Sequence, residues 1–263
     1  MSEFQTNTYF RTTHPETLKP EWDKLIQWGY NINYDHFWKW ASIWKMEREL
    51  HLAGDRIYLD VGGGSSALQH IFSHSAFVYN IDRRPRFFEK RVKGITIPSV
   101  EARIKLIRNN FSIVTTELEK DSVDFAYDSC SLTHFPDVKR SIRSMFSVLK
   151  PGGFFAAATD VLHPLGLPVM GVVKKNRYKN DVYSVEAMSG MFTAAGLEFV
   201  NKPDWVLEPF FLDEKNVHMG IPKSKACTER CKGLPEYHRM WLCPSPHGRP
   251  AILRATFLLR KPT

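Results

Sequence analysis

The chain has 263 residues, 43% apolar and 24% charged, enough for one substantial domain with a full core and an appended piece. No apolar run approaches the roughly 18 residues of a membrane span, the opening "MSEFQTNTYFRTTHPE" lacks the basic and apolar regions of a secretory leader, and four cysteines are too few for a disulfide framework. A reducing cytoplasm is therefore expected, and the net charge of +8 reads as a moderately basic surface rather than a nucleic-acid stripe, because single-sign runs are short.

Residues 1–34 mix polar and aromatic side chains around Pro15 and Pro20, which predicts an arm with short helical pieces. In "DHFWKWASIWKMERELHLAGD", Phe37, Trp40, Ile43, Trp44, Glu47 and Leu50 recur at three- and four-residue spacing. That is an amphipathic helix, with Asp35 as N-cap and Gly54 as stop, and it suits a lid over a ligand as well as simple packing. Residues 1–53 are thus an arm and cap helix, set before a domain over 54–263.

From there strand and helix alternate. "RIYLDV" is a buried strand, "SSALQHIFSH" a helix after three glycines, "AFVYNI" a second strand ended by Asp82, and "RFFEKRVK" a helix. "ARIKLIRNN" is a weaker third strand, "SVDFAYDS" a fourth, "DVKRSIRSMFSVLK" a helix closed by "PGG", and "GFFAAATD" a fifth strand. "SVEAMSGMFTAAG" is a helix stopped by Gly196, followed by "LEFV" and "ILRATFLLRK". This alternation predicts an α/β fold: a Rossmann-like, doubly wound, mostly parallel sheet with an antiparallel terminal strand, an N-terminal helical cap and inserts. The inserts are 160–183 and the proline-rich 201–249, whose lengths call for a function.

The glycine loop leaves the ligand open. Gly62, Gly64 and Ala67 fit the dinucleotide pattern, and Asp82 lies about 20 residues on, where a carboxylate accepts hydrogen bonds from ribose hydroxyls. Missing Cβ atoms let the backbone approach a ligand, and a helix start adds N–H donors. A nicotinamide-dependent oxidoreductase fits that loop. Four further features weigh against it: Asp60 in "LDVGGGS", "VDFAYDSCSLTHFPD" about 60 residues on, "VLKPGGFFAAATD", and the pair "AAGLEFV … ILRATFLLRK". In this order they resemble the class I S-adenosylmethionine-dependent methyltransferase family, over roughly residues 54–200 and 250–261.

The resemblance implies S-adenosyl-L-methionine as cofactor and assigns residues to it. Asp60, Gly62, Gly63 and Gly64 match the acidic glycine loop that holds the methionine ammonium, and Asp82 matches the ribose ligand, with Arg83 beside it along the adenine. Asn109 and Asn110 fall where the family often has an aspartate on the adenine amino group, and Asp128 and Ser129 match the strand end beside the sulfonium. The chain departs from the pattern at Ser66, where a third glycine is usual.

Methyl transfer is an in-line displacement in which the protein chiefly positions the acceptor, so no catalytic triad is required. His134 is the candidate base where the acceptor carries a proton, and a structural histidine is the competing reading. "DSCS" stands where amino-directed enzymes have N/D-P-P-Y/F, which favours a small-molecule acceptor, with oxygen ahead of nitrogen or carbon. An RNA-directed methyltransferase is the other alternative. Aromatic and donor side chains outside the sheet are the acceptor candidates: Tyr30, Tyr34, His36 and Trp40 from the N-terminal side, His163, Arg177 and Tyr178 from the first insert, and His218, His238 and Trp241 from the second. Cys227, Cys231, His238, Cys243 and His247 are zinc-ligand types, but a loop with reduced cysteines packed as small hydrophobes is the favoured reading, and no metal is assigned.

Overall fold

The computed structural model describes residues 9–10, 18–28, 34–52, 54–85, 101–109, 117–129, 131–162, 183–203 and 252–263. The elements are β1 (Tyr9–Phe10), α1 (Lys19–Gln27), α2 (Tyr34–Glu49), β2 (Arg56–Val61), α3 (Leu68–Phe72), β3 (Ala76–Asp82), β4 (Ile104–Arg108), β5 (Val123–Asp128), α4 (Val138–Val148), β6 (Leu149–Leu162), α5 (Val185–Ala194), β7 (Glu198–Phe199) and β8 (Ile252–Arg260). The sheet runs β1-β8-β6-β5-β2-β3-β4, with β7 also on β8. Strands β2 to β6 are parallel, and β8 is antiparallel to β6, β7 and β1. The expected doubly wound sheet with its antiparallel terminal pair is therefore present.

Apolar side chains alternate to both faces because both are covered. One core joins Leu59, Ile81, Phe155 and Phe257 to Ile142 and Met145 of α4 and Met188 and Phe192 of α5. The other joins Tyr58, Val78, Phe125 and Tyr127 to Leu25 of α1, Trp40, Ile43 and Trp44 of α2, and Phe72 of α3. The cap helix is thus part of the domain's own core. It closes through His51, at φ +47, ahead of the expected stop at Gly54.

Three expectations change. The arm contains a strand, β1, whose Tyr9 and Phe10 pair with Ala255 and Arg254. The helix after the glycines is only five residues long, so it offers no extended N-terminus to a ligand. The strand expected at Gly153 begins at Leu149: it pairs with Val123, shifts register, and rejoins the ladder at Phe154 opposite Phe125. The bulge absorbs Pro151 and lets Gly152, at φ +76, donate to the Lys261 carbonyl.

Strand β6 outruns its parallel neighbour. Its last pairing with β5 is Ala157 opposite Asp128, yet it continues to Leu162 opposite Ile252 of β8. Residues 158–162 add about 16 Å. With β1 on the far side of β8, they form a three-stranded wall beyond the carboxyl end of β5. The first insert leaves the wall at Leu162 and the second returns to it at Ile252, so both are anchored at one paired position. The helix expected at "RFFEKRVK" lies outside the described residues, as do the five zinc-ligand types; among the described residues no group of three or more metal-ligating side chains gathers. No described helix is long and apolar enough to cross a membrane.

Candidate active site

The carboxyl ends of β2, β3 and β5 meet around the glycine loop. Gly62 and Gly64 adopt φ of +63 and +53, which side chains rarely tolerate. A Cβ on Gly62 would lie 2.5 Å from Ser131 Cβ, and one on Gly63 would overlap the Asp60 carboxyl group. A Cβ on Gly64 would face Asp82 Oδ2 at 3.9 Å. The loop is therefore clamped between Asp60, Ser131 and Asp82, with no room for side chains at two of its three glycines.

Asp60 is fully buried, and neither carboxylate oxygen has a hydrogen-bond partner among the described residues. Burial pushes its carboxyl well up. The nearby Tyr127 and Ser66 hydroxyls pull it down without closing a hydrogen bond, and the carboxyls of Asp128 and Asp82 add to the rise. A buried, unpaired acid is costly and calls for a cationic or donor partner. Asp82 is half-buried; its Oδ1 takes the Arg84 N–H at 2.6 Å, while Oδ2 is the atom facing Gly64.

Asp128 is also fully buried. Its Oδ1 accepts the N–H groups of Ser131 at 2.8 Å and Leu132 at 3.1 Å and the Ser131 hydroxyl, while Oδ2 has no partner among the described residues. Burial raises the carboxyl to about 6, against the pull of these donors and of Lys39. Ser131 also hydrogen-bonds the Val61 carbonyl at 2.5 Å, joining the loop after β5 to the loop after β2.

Ser66, the departure from the glycine pattern, is buried, and its hydroxyl accepts the Leu68 N–H at 3.1 Å to start α3. Its role is structural. Asn80, a polar residue within an apolar strand, donates to the Gly64 carbonyl at 3.0 Å and to Gln69 Oε1 at 3.1 Å. It pins the loop from β3. The interruption of "AFVYNI" was a signal for Asn80; nothing local marked Ser131, whose role depends on two distant strands.

The remaining candidates divide. Arg83 is exposed beside Asp82, and Ser129 is half-buried after β5. Asn109 follows β4, where its backbone N–H meets the Asp82 carbonyl at 3.0 Å and its side-chain amide donates to Glu117 at 2.8 Å. His134 is exposed on the short turn Leu132–His134. Trp40, at 5% exposure, belongs to the core under α2. Tyr34 and His36 lie on α2 with side chains outside the described set. Tyr30, Asn110, His163, Arg177, Tyr178, His218, His238 and Trp241 lie outside the described residues.

Residues 59–157, from β2 through the glycine loop and Asp128 into β6, match the family of methyltransferase domains. Those residues form a methyltransferase domain, and the enzyme is an S-adenosylmethionine-dependent methyltransferase. This methyltransferase shares its fold with the YcgJ protein of Bacillus subtilis (TM-score 0.55, 18% identity, 84% of this chain and 98% of that one). It is similarly close to a proposed methyltransferase of Bacillus halodurans (TM-score 0.54, 18% identity, 84% and 99%). A third solved structure is a Haloferax volcanii protein in complex with the Trm112 methyltransferase activator (TM-score 0.51, 14% identity, 95% and 96%). No curated protein matches the sequence of this methyltransferase. Its residues fit the cofactor: a buried acid with no hydrogen-bond partner among the described residues, a glycine cradle with no side chains in the way, and a carboxylate over the loop. The nicotinamide alternative is set aside.

Asp82→Ala should weaken S-adenosylhomocysteine by about 1.5–3 kcal/mol, the scale of hydrogen bonds to a charged group, or roughly 10- to 150-fold. The fold should persist, since Asp82 ends a strand at the surface of the loop. An unchanged dissociation constant in calorimetry removes Asp82 from the ribose site.

Proposed function

We propose that this methyltransferase acts on a small-molecule acceptor recognised by the two inserts and the N-terminal arm, with oxygen as the receiving atom. The observation that carries the reading is the wall of β6, β8 and β1, which rises beside the cofactor edge and anchors both inserts at Leu162 and Ile252. The first insert leaves the sheet and the second rejoins it beside the carboxyl ends of the strands, where an open α/β sheet binds its ligands. When bound, the cofactor supplies a methyl group already activated on a sulfonium. The chain's own residues then act in three ways. Asp60 and Asp82 orient the cofactor through its charged and hydroxyl groups. The elements above the sheet place the acceptor in line and exclude water. A hydroxyl acceptor must also lose its proton, and Asp128, held near pKa 6 with Oδ2 unpartnered among the described residues, suits that transfer at neutral pH better than the exposed His134.

Replacing 222–247 by a short linker should abolish turnover while S-adenosylhomocysteine affinity changes less than tenfold, about 1.4 kcal/mol. Full-rate methylation of the native acceptor by folded truncated protein places the acceptor site elsewhere.

A further inference from the structure

Thr159 lies in the stretch of β6 that outruns β5, opposite Ala255 of β8. It is fully buried, and its hydroxyl has no hydrogen-bond partner among the described residues. Residues two apart on a strand share a face, and so do residues paired across strands. Ala157 is paired with Asp128 and stands two residues before Thr159, so Asp128 and Thr159 share one face of the sheet. Ala157, Val161 and Ala255 pack that face against Leu132 and against Val185 and Met188 of α5. The face thus carries two buried oxygens without partners, Thr159 Oγ1 and Asp128 Oδ2. Strand spacing and two residues of rise set their Cα atoms about 8 Å apart. The side chains next to Thr159 on the ladder are small, Ala157 before it and Ala255 opposite, and beyond Asp128 the pairing of β5 has ended. Deeper in the sheet the same face is filled by Phe155 and Phe257. A buried hydroxyl without a partner is a net cost, and valine fills the same space without the oxygen. Packing therefore does not account for a threonine here.

We infer that Thr159 and Asp128 bracket the acceptor, an alcohol or phenol whose hydroxyl oxygen accepts from the Thr159 hydroxyl and donates its proton toward Asp128 Oδ2. In transfer that oxygen bonds the methyl carbon, the carbon–sulfur bond breaks with its electron pair left on sulfur, and the proton passes to Asp128. The inference rests on oxygen methylation of a small molecule, the function proposed for the enzyme, and the test separates the two. Without acceptor, Thr159→Val should raise the melting temperature of the full chain by about 2–4 °C, because an unpaired hydroxyl is removed. A fall, or failure to fold, shows that the protein itself holds the hydroxyl and overturns the role of Thr159. Turnover is read as transfer of labelled methyl from S-adenosylmethionine into a deproteinised small-molecule extract of cells. Thr159→Val should cut the initial rate at least tenfold and leave S-adenosylhomocysteine affinity within twofold in calorimetry. Thr159→Ser, which keeps the hydroxyl, should stay within about threefold of wild type. A methyl ether formed by wild type and by Thr159→Val at equal rates overturns Thr159 alone. A methylated nitrogen or carbon, or no methylated product from wild type that binds S-adenosylhomocysteine, overturns the proposed function and Thr159 with it.

Discussion

Gly63→Ala should lower S-adenosylhomocysteine affinity on the order of 100-fold, close to 3 kcal/mol. The added methyl overlaps the carboxyl group of Asp60. Asp60 cannot yield: it is fully buried, and its backbone is paired to Asn80 on one side and Tyr127 on the other. The loop must therefore move, against the Asn80 and Ser131 contacts that hold it, or the carboxyl must rotate from its place against the loop. Overpacking of this kind also costs about 1–3 kcal/mol of stability. Gly64→Ala is the control: its nearest described atom is 3.9 Å away, so it meets only the left-handed backbone penalty at φ +53, about 1–2 kcal/mol. A Gly63→Ala protein that binds within threefold of wild type shows that the loop is not clamped as described.

Asp124→Ala should destabilise the protein by about 2–3 kcal/mol and leave cofactor affinity at pH 7 unchanged. Asp124 lies near the start of β5, away from the cofactor edge, and is 6% exposed. It accepts the Ile57 N–H at 2.9 Å, Arg56 at 3.0 Å and Lys150 at 2.9 Å to both oxygens. Removing one partner of a buried ion pair costs about 3–5 kcal/mol, and the value is lower here because Arg56 and Lys150 remain 37% and 41% exposed and rehydrate. For a domain of this size the melting temperature should fall roughly 5–10 °C. Acid sharpens the test. Burial pulls the Asp124 carboxyl up, but the Ile57 N–H, Lys150 and Arg56 outweigh it and hold the group below its ordinary value. Its stabilisation is therefore complete above the unfolded pKa of about 3.9 and is lost as pH falls through the folded value. Wild type should lose more stability than Asp124→Ala between pH 5 and 3, so the two melting curves converge. Parallel curves, or a shift under 2 °C at pH 7, dismiss the ion cluster.

Most of the sheet was legible because parallel strands buried on both faces write themselves as apolar runs: "RIYLDV" is β2 residue for residue. What escaped depended on distant pairing. Tyr9 and Phe10 form too short a run to read as a strand, and only the open edge of β8 makes them one. Leu149 sits ahead of a proline and two glycines that announce a break, and the bulge hides the strand on the far side. At the site, the acidic residues and glycines were visible as motif positions. Ser131 was not, because a serine in a loop looks ordinary until β2 and β5 converge on it.

The position of β8 in the sheet bears on how this chain leaves the ribosome. Strand β6 is made about 90 residues before the partner that covers its outer edge, and β1 waits far longer. At 5–20 residues per second, the nascent β6 edge stays open for roughly 5–20 s. During that interval its backbone is a template for pairing with other chains. Synthesis slowed over 163–251 should then raise misassembly, and a holding chaperone during elongation should lower it.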